Sequence, residues 1–139
     1  MQLDIVTAEG SVYSGEVNVV SAPGIEGDLG ILSHHAPLLT LLQPGELRLQ
    51  ISGQEDVHLA VSGGFLEVMA NGVIVLADTV ERSEEIDEQR AEEALKRAEE
   101  RISRPDEGVD LQRAIASMKR SKMRIGLVRK RRQRRETPS

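Results

Sequence analysis

The spacing of apolar and polar positions changes once along the chain, close to residue 83. Before that point the runs are short and punctuated by glycine. Residues 2–8 and 11–22 read as strands, with Gly10 and Gly15 as breaks; Val17, Val19 and Ser21 alternate with Asn18 and Val20. Residues 24–37, GIEGDLGILSHHAP, wrap glycines and a proline around a short apolar strand, Leu29–Leu32. Pro44-Gly45 turns the chain, and Leu47, Leu49 and Ile51 then alternate with Arg48 and Gln50, the period of a half-buried strand. After Gly53 the alternation returns at Val57, Leu59 and Val61, and Gly63-Gly64 break it. Leu66 and Val68 take one face, Glu67 and Met69 the other. Asn71-Gly72 is a two-residue hairpin signal, followed by a return strand, Val73–Ala77. About eight to ten short strands joined by tight turns predict an antiparallel sandwich or barrel.

From Ser83 the period becomes helical. Ser83 is a candidate N-cap, and Glu84 and Glu85 suit the positive end of a helix dipole. No Gly or Pro follows until Pro105. Ser103–Val109, with Pro105 and Gly108, has the composition of a linker, and Asp110 can cap a second helix reaching Gly126 or beyond. Two helices joined this way pack as an antiparallel hairpin. At about 100° per residue, Asp87, Ala91, Ala94, Leu95, Ala98 and Ile102 share one arc of the first helix, with Arg90, Arg97 and Arg101 along its edge. In the second helix Leu111, Ile115, Met118 and Ile125 form a stripe broken by Lys122, with Arg113, Arg120 and Arg124 opposite. The Ala-rich first stripe buries little area, so the hairpin is marginal and open to switching by a ligand or partner. The fold class is therefore α+β, mainly β: an N-terminal domain over residues 1–83 and a helical hairpin with a basic tail over 84–139.

Composition sharpens this division. With one Phe, one Tyr and no Trp in 139 residues, the core must be aliphatic. The chain has no cysteine, which removes disulfides, thiolate metal sites and a Cys nucleophile. The start, Met-Gln-Leu-Asp-Ile, lacks the pattern of a signal peptide, and no apolar run has the length of a membrane span, so a soluble chain is expected. The net charge of −5 conceals an asymmetry: residues 1–85 hold 13 acidic and 2 basic side chains, residues 86–139 hold 10 acidic and 16 basic. Six of the seven residues Arg129–Arg135 are basic. A basic arm beside an acidic body can fold back, bind phosphates or meet an acidic partner.

Asp87 is the residue whose chemistry is open. It can serve as a cap or first-turn carboxylate, or pair with Arg90. It can also belong to a ligand site in which one carboxylate accepts hydrogen bonds and several arginines hold phosphates. Neither GxxxxGK[ST] nor GxGxxG is present. No nucleophile–base pair or metal-ligand spacing stands out; His34-His35 reads as a capped, solvated turn, with His58 as the only other imidazole.

Several stretches taken in order, GDLGIL at 27–32, HAPLLT at 35–40, Pro44-Gly45, SGGFLEV at 62–68, VLADT at 75–79 and IDEQRA at 86–91, resemble the epsilon subunit of bacterial F-type ATP synthase. The resemblance runs to about residue 128. It implies a β-sandwich of about ten strands and a two-helix hairpin, in agreement with the periodicity. It further implies a non-catalytic rotor subunit on the cytoplasmic side of the bacterial membrane, attached through partners and not inserted. The sandwich would bind the gamma subunit and rest on the c-subunit ring, with Asp28 and His35 on the c-ring side. The helices would lie folded or extend into the alpha/beta hexamer, where they block ATP hydrolysis.

Some members of that family bind ATP in the folded hairpin through Ile/Leu-Asp-x-x-Arg-Ala, which Ile86, Asp87, Arg90 and Ala91 match. The family pattern adds an acidic residue five positions earlier, here Glu81, an arginine seven after the motif's own, here Arg97, and two arginines four apart on the second helix, here Arg120 and Arg124. ATP is then a regulatory ligand, bound without hydrolysis and without a required metal. The tail at 129–135 is longer and richer in arginine than is usual in the family. It reads as a solvated, disordered end, as a contact for the acidic segment of beta subunits, or as a nucleic-acid arm. The last is disfavoured by the acidic body and the lack of an aromatic platform. The competing class is a free-standing sandwich module with a nucleotide-responsive arm.

Overall fold

The computed structural model describes residues 1–103 and 111–136, so the expected linker around Pro105 and Gly108 and the cap at Asp110 lie outside the described residues. The chain divides into two compact units, Met1–Arg82 and Ser83–Ser139.

The first unit holds ten strands: β1 (Gln2–Thr7), β2 (Gly10–Glu16), β3 (Val19–Gly24), β4 (Gly27–Leu32), β5 (Leu38–Leu42), β6 (Gly45–Gln50), β7 (Val57–Val61), β8 (Gly64–Met69), β9 (Gly72–Ala77) and β10 (Val80–Arg82). They pair in the order β10-β7-β6-β3-β5-β8-β9-β1-β2, with β4 on β3. The seam between the two layers is thin, because β3 meets β5 at one residue pair, Gly24 opposite Leu42. The inner faces supply an aliphatic core, including Leu3, Ile5, Val20, Ile31, Leu47, Leu49, Val61, Leu66 and Val75, all fully buried. Each such side chain contributes about 1.5–3 kcal/mol through removal of apolar surface from water.

The all-antiparallel expectation fails at one place: β1 runs parallel to β9, with Leu3 opposite Val73 and Ile5 opposite Val75. The expected strand over 11–22 is two strands. Asn18 breaks it, its N–H donating to the Gln50 carbonyl and its side-chain oxygen accepting from the Ser52 N–H at 2.7 Å. The break shifts the phase of the alternation, so Val17 is buried before it and Val20 and Ala22 after it, in place of Val19 and Ser21. The β8–β9 turn residues are Ala70-Asn71, one position earlier than expected, since Met69 pairs with Gly72. Gly72 carries the positive φ, and a Cβ there would sit 2.4 Å from the Gln2 carbonyl oxygen, which explains glycine beside the parallel strand.

In the second unit, Ser83–Glu85 forms a single 3-10 turn and α1 runs Glu88–Ile102. Ser83 is therefore not the cap of α1. The N-cap is Asp87, in extended backbone at φ −85 and ψ 107. The helix α2 runs Leu111–Glu136, so the basic stretch continues the helix, against the reading of a disordered end. Arg131 reaches the Ser83 carbonyl and Arg132 the Glu88 carboxylate, which brings the end of α2 to the start of α1 and makes the pair antiparallel. The line of contact is small-residue. Ala91 and Ala98 are buried on α1, and Ala114 and Ser121 on α2, each pair seven residues apart. The expected α2 stripe is thus displaced: Leu111 is exposed and Ile115 and Met118 are half-buried, while Ala114, Ser121, Ile125 and Val128 hold the buried line. Small side chains let two backbones approach closely, and that proximity selects them over the larger residues nearby.

Candidate functional site

The hexapeptide Ile86–Ala91 is built around a helix start. The Ile86 N–H donates to the Ser83 carbonyl at 3.4 Å, and the Ile86 side chain is buried. Asp87 then breaks into extended backbone, and its Oδ1 accepts the Arg90 N–H at 3.1 Å. The Asp87 carbonyl accepts the Ala91 N–H at 3.0 Å, which begins the helical ladder. The Asp87 side chain is exposed and sits ahead of the helix, not on its apolar stripe. The capping role weighed from sequence is the one its hydrogen bonds describe. An Asp cap satisfies one first-turn N–H with one oxygen and leaves the other facing solvent.

Ala91 is fully buried at the helix contact, so its contribution is close approach and not polar chemistry. Arg90, Arg97 and Arg120 are exposed and Arg124 is half-buried, which corrects its expected place on an outer face. On an α-helix a step of seven residues returns to within about 20° of its starting direction. Arg90, Arg97 and Arg101 then lie about 100° to one side of the Ala91–Ala98 line. Arg113, Arg120 and Arg124 lie at about the same rotational offset from the Ala114–Ser121 line. In an antiparallel pair, equal offsets fall on the same flank. Two rows of arginine therefore share one flank of the hairpin, with Asp87 at one end. A planar, permanently charged guanidinium binds phosphate oxygens in a bidentate fashion, and several on one flank can hold a polyphosphate. Glu81 belongs to the other unit, on β10 opposite Ala60, where it is half-buried.

Asp28 and His35 sit at opposite ends of β4. Asp28 is exposed at the start of the strand, opposite Pro23. His35 follows the strand in a turn closed by its N–H on the Leu32 carbonyl, with Nδ1 2.7 Å from the Ala36 carbonyl. Four residue steps of strand from Asp28 to Leu32 span about 13 Å at 3.3 Å per residue, so a partner touching both must lie along it. His35 also lines a cavity of about 510 Å³ between this turn and the β8–β9 hairpin, with Met1, Pro37 and Asn71 among its walls. His58 Nδ1 lies 3.0 Å from Glu46 Oε1 across the paired strands β7 and β6. Among the described residues no group of three or more His, Cys, Asp or Glu side chains is placed to hold a metal ion.

One surface had no counterpart in the sequence reading. Leu41 of β5, Phe65 of β8 and Leu76 of β9 are in register across the outer face, with Val6 of β1 next in the row. Leu41, Phe65 and Leu76 are 43%, 49% and 52% exposed, so this is an apolar row on a surface otherwise rich in charge. The signal was present in β5, LLTLL, and in Ile74 and Leu76 of β9, which are apolar on both faces.

A two-layer β unit followed by a close-packed helical pair defines a bipartite chain. Its first 83 residues match the family model for the beta-sandwich domain of the ATP synthase delta/epsilon chain, and residues 84–128 match the model for the long alpha-helix domain of the same chain. The chain belongs to the ATP synthase epsilon-chain family. Curated relatives named ATP synthase epsilon chain include one from Dehalococcoides mccartyi, 55% identical over 95% of this chain and 94% of its own length. Another, from Herpetosiphon aurantiacus, is 49% identical over 96% of this chain and 98% of its own. A chain in the Euglena gracilis mitochondrial ATP synthase, solved as an OSCP/F1/c-ring assembly, superposes with a TM-score of 0.77 at 25% identity, covering 86% of this chain and 76% of that one. A chain in the central stalk and c-ring of the Tetrahymena thermophila enzyme shares the fold, with a TM-score of 0.60 at 18% identity.

Proposed function

We propose that this chain is a non-catalytic central-stalk subunit that couples the c ring and gamma subunit to the alpha/beta hexamer, and that its hairpin is an ATP-sensing arm which inhibits ATP hydrolysis when it opens. The observation that carries the reading is the placement of Arg90 and Arg97 on the same flank as Arg120 and Arg124, with Asp87 at the end of that flank. Phosphates repel carboxylates, so Asp87 suits the base or ribose and the arginines suit the phosphates. Ile86 and Ala91 supply the buried packing that sets the position of Asp87 and Arg90. ATP bridging α1 and α2 would favour the folded arm by about 2.7 kcal/mol at a concentration 100 times its dissociation constant. The proposed role of ATP is regulatory, without hydrolysis or a required metal.

The outer row Leu41–Phe65–Leu76 suits the gamma subunit, since an apolar strip of this kind is covered in an assembled complex. The Asp28 and His35 ends of β4 are the proposed c-ring side, and the basic end of α2 the proposed contact for an acidic segment of a beta subunit. No helix among the described residues is long and apolar enough to cross a membrane, so attachment to the membrane on the cytoplasmic side is proposed to run through these partners, with no role for nucleic acid.

The experiment is a calorimetric titration with ATP. Saturable heat is expected, and it should fall on Arg97→Gln and on Arg120→Gln. Absence of heat at millimolar ATP, with the parent and both variants indistinguishable, would overturn the ATP-sensing part of the proposal.

A further inference from the structure

We infer that the basic end of α2 is an intramolecular latch that adds to the stability of the closed arm independently of nucleotide, so that ATP acts on an equilibrium the latch already biases. The inference rests on the proposed opening of the arm but concerns different residues. Arg131 donates from Nη1 to the Ser83 carbonyl at 2.7 Å, across 48 positions of sequence, and this contact is partly buried. One residue further, the Arg132 guanidinium pairs with the Glu88 carboxylate, and Glu88 is the first residue of α1. Neither arginine lies in the segment matched to the helical-domain family model, which ends at residue 128.

The position of these contacts matters more than their number. They join the last turns of α2 to the first turn of α1, the ends of the hairpin farthest from its 103–111 connection. Opening must therefore break them. The contact line between the helices is small-residue at Ala91, Ala98, Ala114 and Ser121 and apolar at Ile125 and Val128, and the polar contacts add to it at the open end of the hairpin, where opening begins. Both helix dipoles support the pairing: Glu88 stands at the positive end of α1 and the arginines at the negative end of α2. Glu92 and Glu99 on α1 and Lys122 and Arg129 on α2 are exposed at offsets of about 60–100° on the Glu88 flank, so the charge pattern along that flank favours the same alignment.

The latch is electrostatic and its release frees Arg131 and Arg132 together. Salt weakens it, and so does any anion that competes for the guanidinium groups. The chain has no cysteine, so a Gln89→Cys, Lys130→Cys double variant takes a donor–acceptor dye pair at two exposed positions beside the latch without background labelling. Energy transfer is then read on the full chain in the absence of ATP. Arg131→Gln is expected to raise the open fraction about tenfold, and Arg132→Gln about twofold to fivefold. Glu88→Arg alone should open the arm, and Glu88→Arg with Arg132→Glu should close it again. Raising NaCl to about 1 M should open the parent chain and leave the Arg131→Gln, Arg132→Gln chain little changed. Equal transfer in the parent and the double glutamine chain, at low and high salt, would overturn the latch. That result would leave the ATP titration untouched, and a flat titration would leave the latch standing, so the two can fail separately.

Discussion

The Asp87 carboxylate accepts the Arg90 backbone N–H at 3.1 Å, so the acid and the arginine of the hexapeptide are first joined through a helix cap. A cap of this type is worth about 1 kcal/mol. Asp87→Ala is expected to lower α1 stability by about that amount without ATP, read as faster amide exchange over residues 88–93. Asp87→Asn keeps a capping oxygen and should leave exchange near the parent value, while removing the charge proposed to face ATP. Weaker ATP binding by the Asn variant with exchange unchanged separates the ligand role from the cap. Exchange raised equally in both variants would show that the cap geometry is wrong.

The helix pair should not tolerate bulk along its contact line. Ala98 is 2% exposed and Ala91 has no exposure. Ala98→Leu forces α1 away from α2 and is expected to cost about 1–3 kcal/mol of hairpin stability. The helical circular dichroism signal should then melt at lower temperature, while protection of the core amides at Leu47 and Leu49 stays unchanged.

In the sandwich, Gly64 lies at φ 141, and a Cβ there would fall 2.1 Å from the Leu76 carbonyl oxygen. Gly64→Ala should break the local β8–β9 pairing and destabilise the unit by at least about 2 kcal/mol. Denaturant unfolding checks this. Gly30→Ala is a control, since a Cβ there meets nothing within 4 Å and is expected to change stability little.

The outer apolar row makes an opposite prediction. Phe65→Ser and Leu41→Ser remove exposed side chains and are expected to change unfolding free energy by less than about 0.5 kcal/mol. If the row is the gamma-facing surface, Phe65→Ser should weaken capture of the chain by immobilised gamma subunit at least tenfold. Unchanged capture would assign the row elsewhere.

Much of the fold was legible because an aliphatic core forces period-two alternation, as at Leu47–Leu49 and Leu66–Val68. The readings that slipped did so for local reasons. Asn18 reset the phase between β2 and β3 through its own hydrogen bonds, which no periodicity contains. β5 carries no alternating signal, because Leu38–Leu42 is apolar on both faces. The α2 line was misplaced because close packing selected Ala114 and Ser121 over the bulkier Leu111 and Met118. In the candidate site, residue types were readable from spacing, but the shared flank of the two arginine rows depends on the antiparallel pairing. The Arg131 contact has no sequence signature, because Ser83 acts through its carbonyl, a group every residue carries.

The proposed arm regulates hydrolysis by the assembled motor in response to ATP. The direct measurement is steady-state ATP hydrolysis by the reconstituted complex, with the full chain or with a chain ending at Arg82, across a range of ATP concentrations. Inhibition by the full chain at low ATP, relieved as ATP rises, is expected, with none by the truncated chain at any concentration. Equal rates for the two chains throughout would contradict it.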